Sequence, residues 1–197
     1  IGYKISNNIK ELEDSLKNNN FCFLFAQNHH SAMKNVINVR KNLGTRTIFN
    51  LLGPLTNPCG AGVQLLGVWD KQYMDVMAEA LRLGGVCSGA IVHSQDGLDE
   101  VSLSDSTWIT LIQGDMIEIT EISPEQFGFD TVPIEDVTAH SLEEAVDFSY
   151  RVLGGEESPI SHIVAMNSGV GLYIAGSTNT INEGVQTALN IINNSFI

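Results

Sequence analysis

Two adjacent acids that follow a short apolar segment are the first candidates for binding a cation. Asp99 and Glu100 lie in the stretch QDGLDEV, residues 95–101, directly after the apolar run GAIVHS. Magnesium is usually held by one or two carboxylates, with water and substrate phosphates completing its shell. On a regular strand the two side chains would point to opposite faces, whereas on a turn they could converge. The residues alone leave both a magnesium site and a solvated acidic turn open.

A segment with histidines and an arginine supplies the second set of candidates. His29 and His30 lie in QNHHSAMKNVINVRK, and Arg40 follows within a predicted helix. A fixed guanidinium can bind a carboxylate through two parallel hydrogen bonds. The alternatives are a solvent-exposed loop for His29 and, for Arg40, a side chain that extends along the helix edge into water. Zinc needs more ligands than this segment offers.

A third candidate is the connection GTRTIFNLLGPLTNPCGAG, residues 44–62, which contains Pro54, Pro58 and several glycines. Its composition predicts a long, turn-rich loop. Long loops inside compact domains often carry function, although a purely structural loop is the alternative.

The composition excludes several classes of protein. With 10 basic and 23 acidic residues, the net charge of −13 would repel nucleic acids and anionic membranes. No apolar stretch is long enough to span a membrane, and the N-terminus has no secretory pattern. Three cysteines without CxxC spacing favour free thiols and a cytoplasmic location. The chain begins without Met, and we expect it to be a fragment.

Alternating helix and strand patterns predict the elements that must position these residues. The expected fold is α/β, with a mostly parallel sheet flanked by helices and an antiparallel hairpin near 107–122. In such folds ligands bind beyond the carboxyl ends of the strands, which is where Asp99 and Glu100 would lie. The whole chain, residues 1–197, is expected to form one domain. The predicted strands before the hairpin are 21–26, 63–69 and 88–94, and the main predicted helices are 7–18, 33–43, 73–83, 142–153, 160–176 and 181–192.

Two motifs resemble the anthranilate phosphoribosyltransferase family. They are FLFAQNHHSAMKNVINVRKNLGTRTIFNLLGPLTNP, residues 23–58, and DGLDEVSL, residues 96–103. The likeness continues through ISPEQFGF and GVGLYIAG and so covers nearly the whole chain. It implies a partial large α/β domain of the nucleoside-phosphorylase-like class. Members of the family transfer phosphoribosyl from phosphoribosyl pyrophosphate (PRPP) to the amine of anthranilate, with Mg²⁺, in tryptophan biosynthesis.

The resemblance also implies a role for individual residues. Arg40 matches the arginine that engages the anthranilate carboxylate, while His30 and Pro54 match positions that line the anthranilate entry path. Asp99 and Glu100 match the acidic pair that holds magnesium at the pyrophosphate. No residue is expected to act as a nucleophile, so none is assigned as catalytic. The expected partners are therefore anthranilate and PRPP, with no nucleic acid and no membrane.

The chain also departs from the family pattern. The helical domain, through which the family dimerises, and the glycine-rich GTGGD-type loop that binds PRPP have no counterpart in these residues. Gln27 and Ser31 stand where proline is usual. We therefore expect the isolated chain to be inactive, and the resemblance does not predict whether it dimerises. The alternatives are a non-catalytic α/β binding module and an enzyme of the pyrimidine nucleoside phosphorylase type.

Overall fold

The computed structural model describes residues 1–29 and 47–194 of the chain. Its backbone contacts divide it into two compact units, residues 1–60 and 61–197, and each unit is described by itself. The first unit contains helix α1, Ile9–Asn19, whose N-cap Asn8 accepts a hydrogen bond from the Lys10 N–H. The amphipathic helix predicted over 7–18 is thus confirmed. A four-residue helix, α2, covers Ala26–His29.

Among the described residues of this unit, the next helix is α3, which covers Ile48–Leu55 and includes Pro54. The prediction of a turn-rich loop is wrong over these residues. Two hydrogen bonds begin the helix: the Thr47 N–H donates to the Asn50 side chain at 3.0 Å, and the Asn50 N–H donates to the Thr47 carbonyl at 2.9 Å. Pro54 lies in the last turn, where a proline interrupts little of the helix that remains.

The strand predicted over 21–26 is wrong as well. Residues 21–25 are in no strand. Phe21 and Phe23 are 53% and 44% exposed, so the apolar run is not buried in a sheet. Local contacts hold it instead, since the Tyr3 ring lies edge-on to Phe21 and the Tyr3 hydroxyl accepts from the Phe23 N–H at 3.2 Å.

The second unit is built on a four-stranded mixed sheet with the order β1-β2-β3-β4. The β1–β2 pair is parallel, whereas β2–β3 and β3–β4 are antiparallel. The α/β class and the antiparallel hairpin are confirmed, but a mostly parallel sheet is wrong for the described residues. The β1–β2 connection contains a crossover helix, as parallel pairing usually requires, whereas a loop without a helix joins β2 to β3 and a short turn joins β3 to β4. The strands are β1 Val63–Gly67, β2 Ser88–Ser94, β3 Thr107–Gln113 and β4 Met116–Ile122.

Helices flank this sheet. Helix α4 forms the crossover between β1 and β2 and packs on β2 and β3, and helix α6 packs on β1, β2 and helix α7. The main core joins Val92 of β2 and Ile109 of β3 to Met166 of α6. No helix in the described ranges is long and apolar enough to cross a membrane. The helices are α4 Met74–Leu83, α5 Leu142–Leu153, α6 Pro159–Ile174 and α7 Ile181–Asn193.

The predicted starts of two helices are confirmed, whereas the predicted burial of two cysteines is wrong. Ser141 and Thr180 cap α5 and α7 as their sequences predict, each accepting from a backbone N–H three residues later at 3.1 Å. All three cysteines are free. The apolar runs around Cys22 and Cys87 predict buried thiols, which is wrong, because Cys22 is partly buried and Cys87 is exposed.

Candidate functional site

The acidic segment lies in the loop that leaves the carboxyl end of β2. The loop begins with a tight turn in which the Gly97 N–H donates to the Ser94 carbonyl at 3.0 Å. The Ser94 N–H donates to the Leu98 carbonyl at 2.9 Å, which closes the turn. Gly97 has φ of +94°, a conformation that side chains disfavour. The turn therefore fixes the start of the loop to the last residue of β2.

Asp96 is a structural residue of this turn. One of its carboxylate oxygens accepts from the Leu98 N–H at 2.9 Å, and the other accepts from the Ser102 hydroxyl at 2.5 Å. Ser102 is fully buried, and its oxygen also accepts from the Ser104 N–H at 2.9 Å. Both oxygens of the Asp96 carboxylate are thus hydrogen-bonded within the loop, one to the Leu98 N–H and the other to the buried Ser102 hydroxyl.

Asp99 and Glu100 differ from Asp96 in being exposed. Within the described ranges, no Lys or Arg forms an ion pair with either carboxylate. Although Glu100 is exposed as a residue, partial desolvation of its carboxyl raises its pKa, and the neighbouring Asp99 charge raises it further. Two adjacent carboxylates that repel each other are suited to binding a cation.

The pair does not form a complete metal site by itself. Among the residues that the structure describes, no group of three or more His, Cys, Asp and Glu side chains is arranged to hold a metal ion. A hard cation such as Mg²⁺ fits this donor set, because it commonly takes one or two carboxylates and completes its shell with water and phosphate oxygens. Zinc, which needs three or four protein ligands, does not.

Two residues that the sequence did not single out support the acidic segment. At the end of β1, a Cβ on Gly67 would collide with the backbone carbonyl of Asp99. From helix α6, the side chain of Asn167 forms hydrogen bonds with the N–H and the carbonyl of Val101 at 2.9 and 2.8 Å. A glycine inside a strand pattern often marks such a close approach, and a lone amide in an apolar helix is a weak signal of a buried hydrogen bond.

An aromatic cluster lies where β1 and β2 end. His93 is buried, with Nδ1 2.9 Å from the Val68 carbonyl, and its ring stacks near Trp108 with centroids 6.0 Å apart. The Lys71 ammonium lies 3.6 Å from the centroid of the Trp108 ring. These contacts fix the segment after β1 against the end of β2 and the start of β3.

The structure describes only part of the predicted residue set. Asp99 and Glu100 are adjacent in the second unit, at the carboxyl end of β2, as predicted. Pro54 lies in the first unit, exposed on α3. His30 and Arg40 lie outside the described residues.

Comparison with protein families and curated proteins gives consistent matches. The family model described as "Glycosyl transferase family, a/b domain" matches residues 1–195. The anthranilate phosphoribosyltransferase of Methanobrevibacter smithii is 45% identical over 177 residues, which is 90% of this chain and 53% of that protein. The chain therefore spans about half the length of the curated relative.

Solved structures give the same picture. The anthranilate phosphoribosyltransferase of Thermus thermophilus matches with a TM-score of 0.85 and 37% identity, covering 93% of this chain and 54% of that one. The Saccharomyces cerevisiae enzyme in complex with 4-fluoroanthranilate matches with a TM-score of 0.84, at 28% identity and over 94% and 54% of the two chains. The same yeast enzyme in complex with PRPP and Mg matches with 0.74, at 28% identity and over 83% and 47%.

Proposed function

Because the chain belongs to the glycosyl transferase family (a/b domain), we propose that it forms the acceptor and metal part of an anthranilate phosphoribosyltransferase active site. The enzyme would transfer phosphoribosyl from PRPP to the amine of anthranilate in tryptophan biosynthesis. Solved relatives with an anthranilate analogue, or with PRPP and Mg, support these substrates. The match of one family model to residues 1–195 supports a single α/β domain over 1–197, and the coverage of about half of each relative supports the proposal that this domain is incomplete.

One observation carries the proposal. Asp99 and Glu100 present two carboxylates without a basic partner among the described residues, directly after the turn at the carboxyl end of a parallel strand. Ligands of α/β folds bind beyond this end of the sheet. A pyrophosphate substrate carries its own phosphate oxygens, which can replace water in the shell of a cation held by two carboxylates.

The chemistry of the transfer fits these residue types. The bond between ribose C1 and the pyrophosphate oxygen breaks, a bond between C1 and the anthranilate nitrogen forms, and the amine loses a proton. Negative charge develops on the departing pyrophosphate. Mg²⁺ held by Asp99 and Glu100 would supply the positive charge that stabilises this leaving group. No protein nucleophile is required, so no residue of this chain is proposed to bond covalently to the substrate.

The acceptor side of the proposal rests on Arg40, His30 and Pro54. The Arg40 guanidinium would bind the anthranilate carboxylate through two hydrogen bonds and so orient the neighbouring amine toward C1. His30 and Pro54 would line the path by which anthranilate enters.

Isothermal titration of the 197-residue chain with anthranilate tests this assignment. We expect weak binding that Arg40→Ala abolishes, because the mutant lacks the group that pairs with the carboxylate. Arg82→Ala is the matched control, since it removes the same charge from a residue of α4 that pairs with Glu79 and Asp115. Equal affinity in Arg40→Ala and in the unaltered chain would contradict the role of Arg40.

The isolated chain should also show little or no transferase turnover, because the family's glycine-rich PRPP loop has no counterpart in residues 1–197. Robust turnover by the chain alone would contradict the proposed division of the site. The cytoplasmic location stays a prediction.

A further inference from the structure

Asn167 lies in the middle of helix α6, and its side-chain amide forms hydrogen bonds with backbone groups. Its Oδ1 accepts from the Val101 N–H at 2.9 Å. Its Nδ2 donates to the Val101 carbonyl at 2.8 Å and to the Ile163 carbonyl at 3.0 Å. The amide therefore binds both polar groups of Val101, as a neighbouring strand would, across a sequence separation of 66 residues.

The residue that Asn167 binds comes immediately after the acidic pair. Val101 is completely buried, and its N–H belongs to the peptide group that also contains the Glu100 carbonyl. Fixing this N–H therefore fixes the peptide plane that leaves Glu100. Helix α6 is itself anchored in the core by Met166, a direct neighbour of Asn167 that is completely buried.

A second anchor lies on the other side of the pair. The Leu98 N–H donates to Asp96, and the Leu98 carbonyl accepts from Ser94 of β2. Asp99 and Glu100 are thus the two residues between a backbone tied to β2 and a backbone tied to α6. The peptide bond already holds the two Cα atoms about 3.8 Å apart. The two anchors restrain the backbone on either side of the pair and so the directions in which the two carboxylates leave the chain.

We propose that Asn167 is a positioning residue that holds Asp99 and Glu100 in place for a divalent cation. This inference rests on the proposed function, because it takes the pair as the cation site. Asn167 itself does not touch the cation. Hydrogen bonds that orient metal ligands commonly change metal affinity by about 10–100-fold when they are removed.

Asn167→Leu in the 197-residue chain tests the role, because leucine has a similar size and lacks all of the hydrogen-bonding groups. Asn167→Ser is a second variant, since its short hydroxyl can bond within its own helix but is too short to bind both groups of Val101. The matched control is Asn190→Leu, an exposed position on α7. Two quantities are measured by NMR: the hydrogen-exchange rate of the Val101 amide, and the affinity for Mn²⁺ from broadening of the Asp99 and Glu100 amide signals.

We expect both Asn167 variants to exchange the Val101 amide faster and to bind Mn²⁺ about 10-fold more weakly, while the control matches the unaltered chain. Faster exchange with unchanged Mn²⁺ affinity in whichever variant folds would overturn the inference, because Asn167 would then serve only the fold. Absence of Mn²⁺ binding at Asp99 and Glu100 in the unaltered chain would overturn the cation site itself and the inference with it. The two failures are therefore distinguishable.

Discussion

Gly67, the last residue of β1, lies against the backbone of Asp99, and a Cβ on residue 67 would collide with the Asp99 carbonyl oxygen and lie 3.3 Å from the Asp99 Cβ. Strand β1 thus contacts Asp99, which follows the crossover helix α4 and strand β2 in the chain. Because the obstacle is backbone rather than a flexible side chain, any side chain at 67 must displace the loop. A change at the end of β1 is therefore expected to shift the backbone of the acidic segment.

Gly67→Ala should destabilise the chain for this reason. Overpacking of a close contact typically costs about 1–3 kcal/mol of unfolding free energy, which urea denaturation measures. Gly62→Ala is the control, since its Cβ would meet nothing nearer than the Cys87 sulfur at 3.5 Å. Equal stability of the two variants would show that the loop yields to the added methyl group without cost.

The acids of the loop should separate into structural and binding residues when they are truncated. Asp96→Ala removes the acceptor of the Leu98 N–H and of the buried Ser102 hydroxyl, so we expect a loss of about 1–3 kcal/mol of unfolding free energy. Asp99→Ala keeps the Cβ and removes an exposed carboxylate, so we expect a change within about 0.5 kcal/mol. Denaturation of both variants at one pH makes the comparison. If Asp99→Ala were the more damaging of the two, the assignment of Asp96 as the structural acid would be wrong.

His162 should make the stability of the chain depend on pH. Burial lowers the pKa of His162, and the opposing attraction to Glu157, 4.0 Å away, is the smaller effect. The ring also stacks on Phe129, with centroids 4.3 Å apart. Because the folded pKa lies below the unfolded value of about 6.5, the folded state binds fewer protons in this range. The stability is present above about pH 6.5 and is lost as the pH falls through the lowered folded pKa.

Thermal unfolding between about pH 7 and about pH 5 checks this expectation, in the range where an ordinary histidine titrates. His162→Phe keeps an aromatic ring against Phe129 and removes the titrating group, so its melting temperature should fall less on acidification. His140→Phe, at an exposed position, is the matched control and should retain the pH dependence. A profile for His162→Phe as steep as that of the control would assign the pH dependence to other groups.

Local patterns predicted most elements of the second unit. The apolar run SGAIVHS predicted β2, which is buried on both faces, and the alternating pattern of residues 107–122 predicted the hairpin of β3 and β4. The capping residues Ser141 and Thr180 marked the starts of α5 and α7, since their oxygens satisfy backbone N–H groups nearby in sequence.

Predictions failed where a strand or its direction depends on partners far away in the sequence. The apolar run 21–26 has strand composition, but a strand exists only where another strand offers hydrogen-bonding partners, and residues 21–25 lie in none. The same limit applies to the sheet. Alternating helix and strand patterns predicted that neighbouring strands are parallel. Strand β3 instead lies antiparallel beside β2, because the connecting loop and the packing of both strands determine the direction of pairing.

By itself, the sequence determined the order of the elements in the second unit, the family resemblance and the adjacency of Asp99 and Glu100, because each depends on residues close together in the chain. The tertiary structure alone decided how that acidic pair is held. The contact of Gly67 with Asp99 and the hydrogen bonds of Asn167 with Val101 join residues 32 and 66 positions apart. Such contacts form only when the strands and helix α6 pack into one core, and no local spacing encodes them.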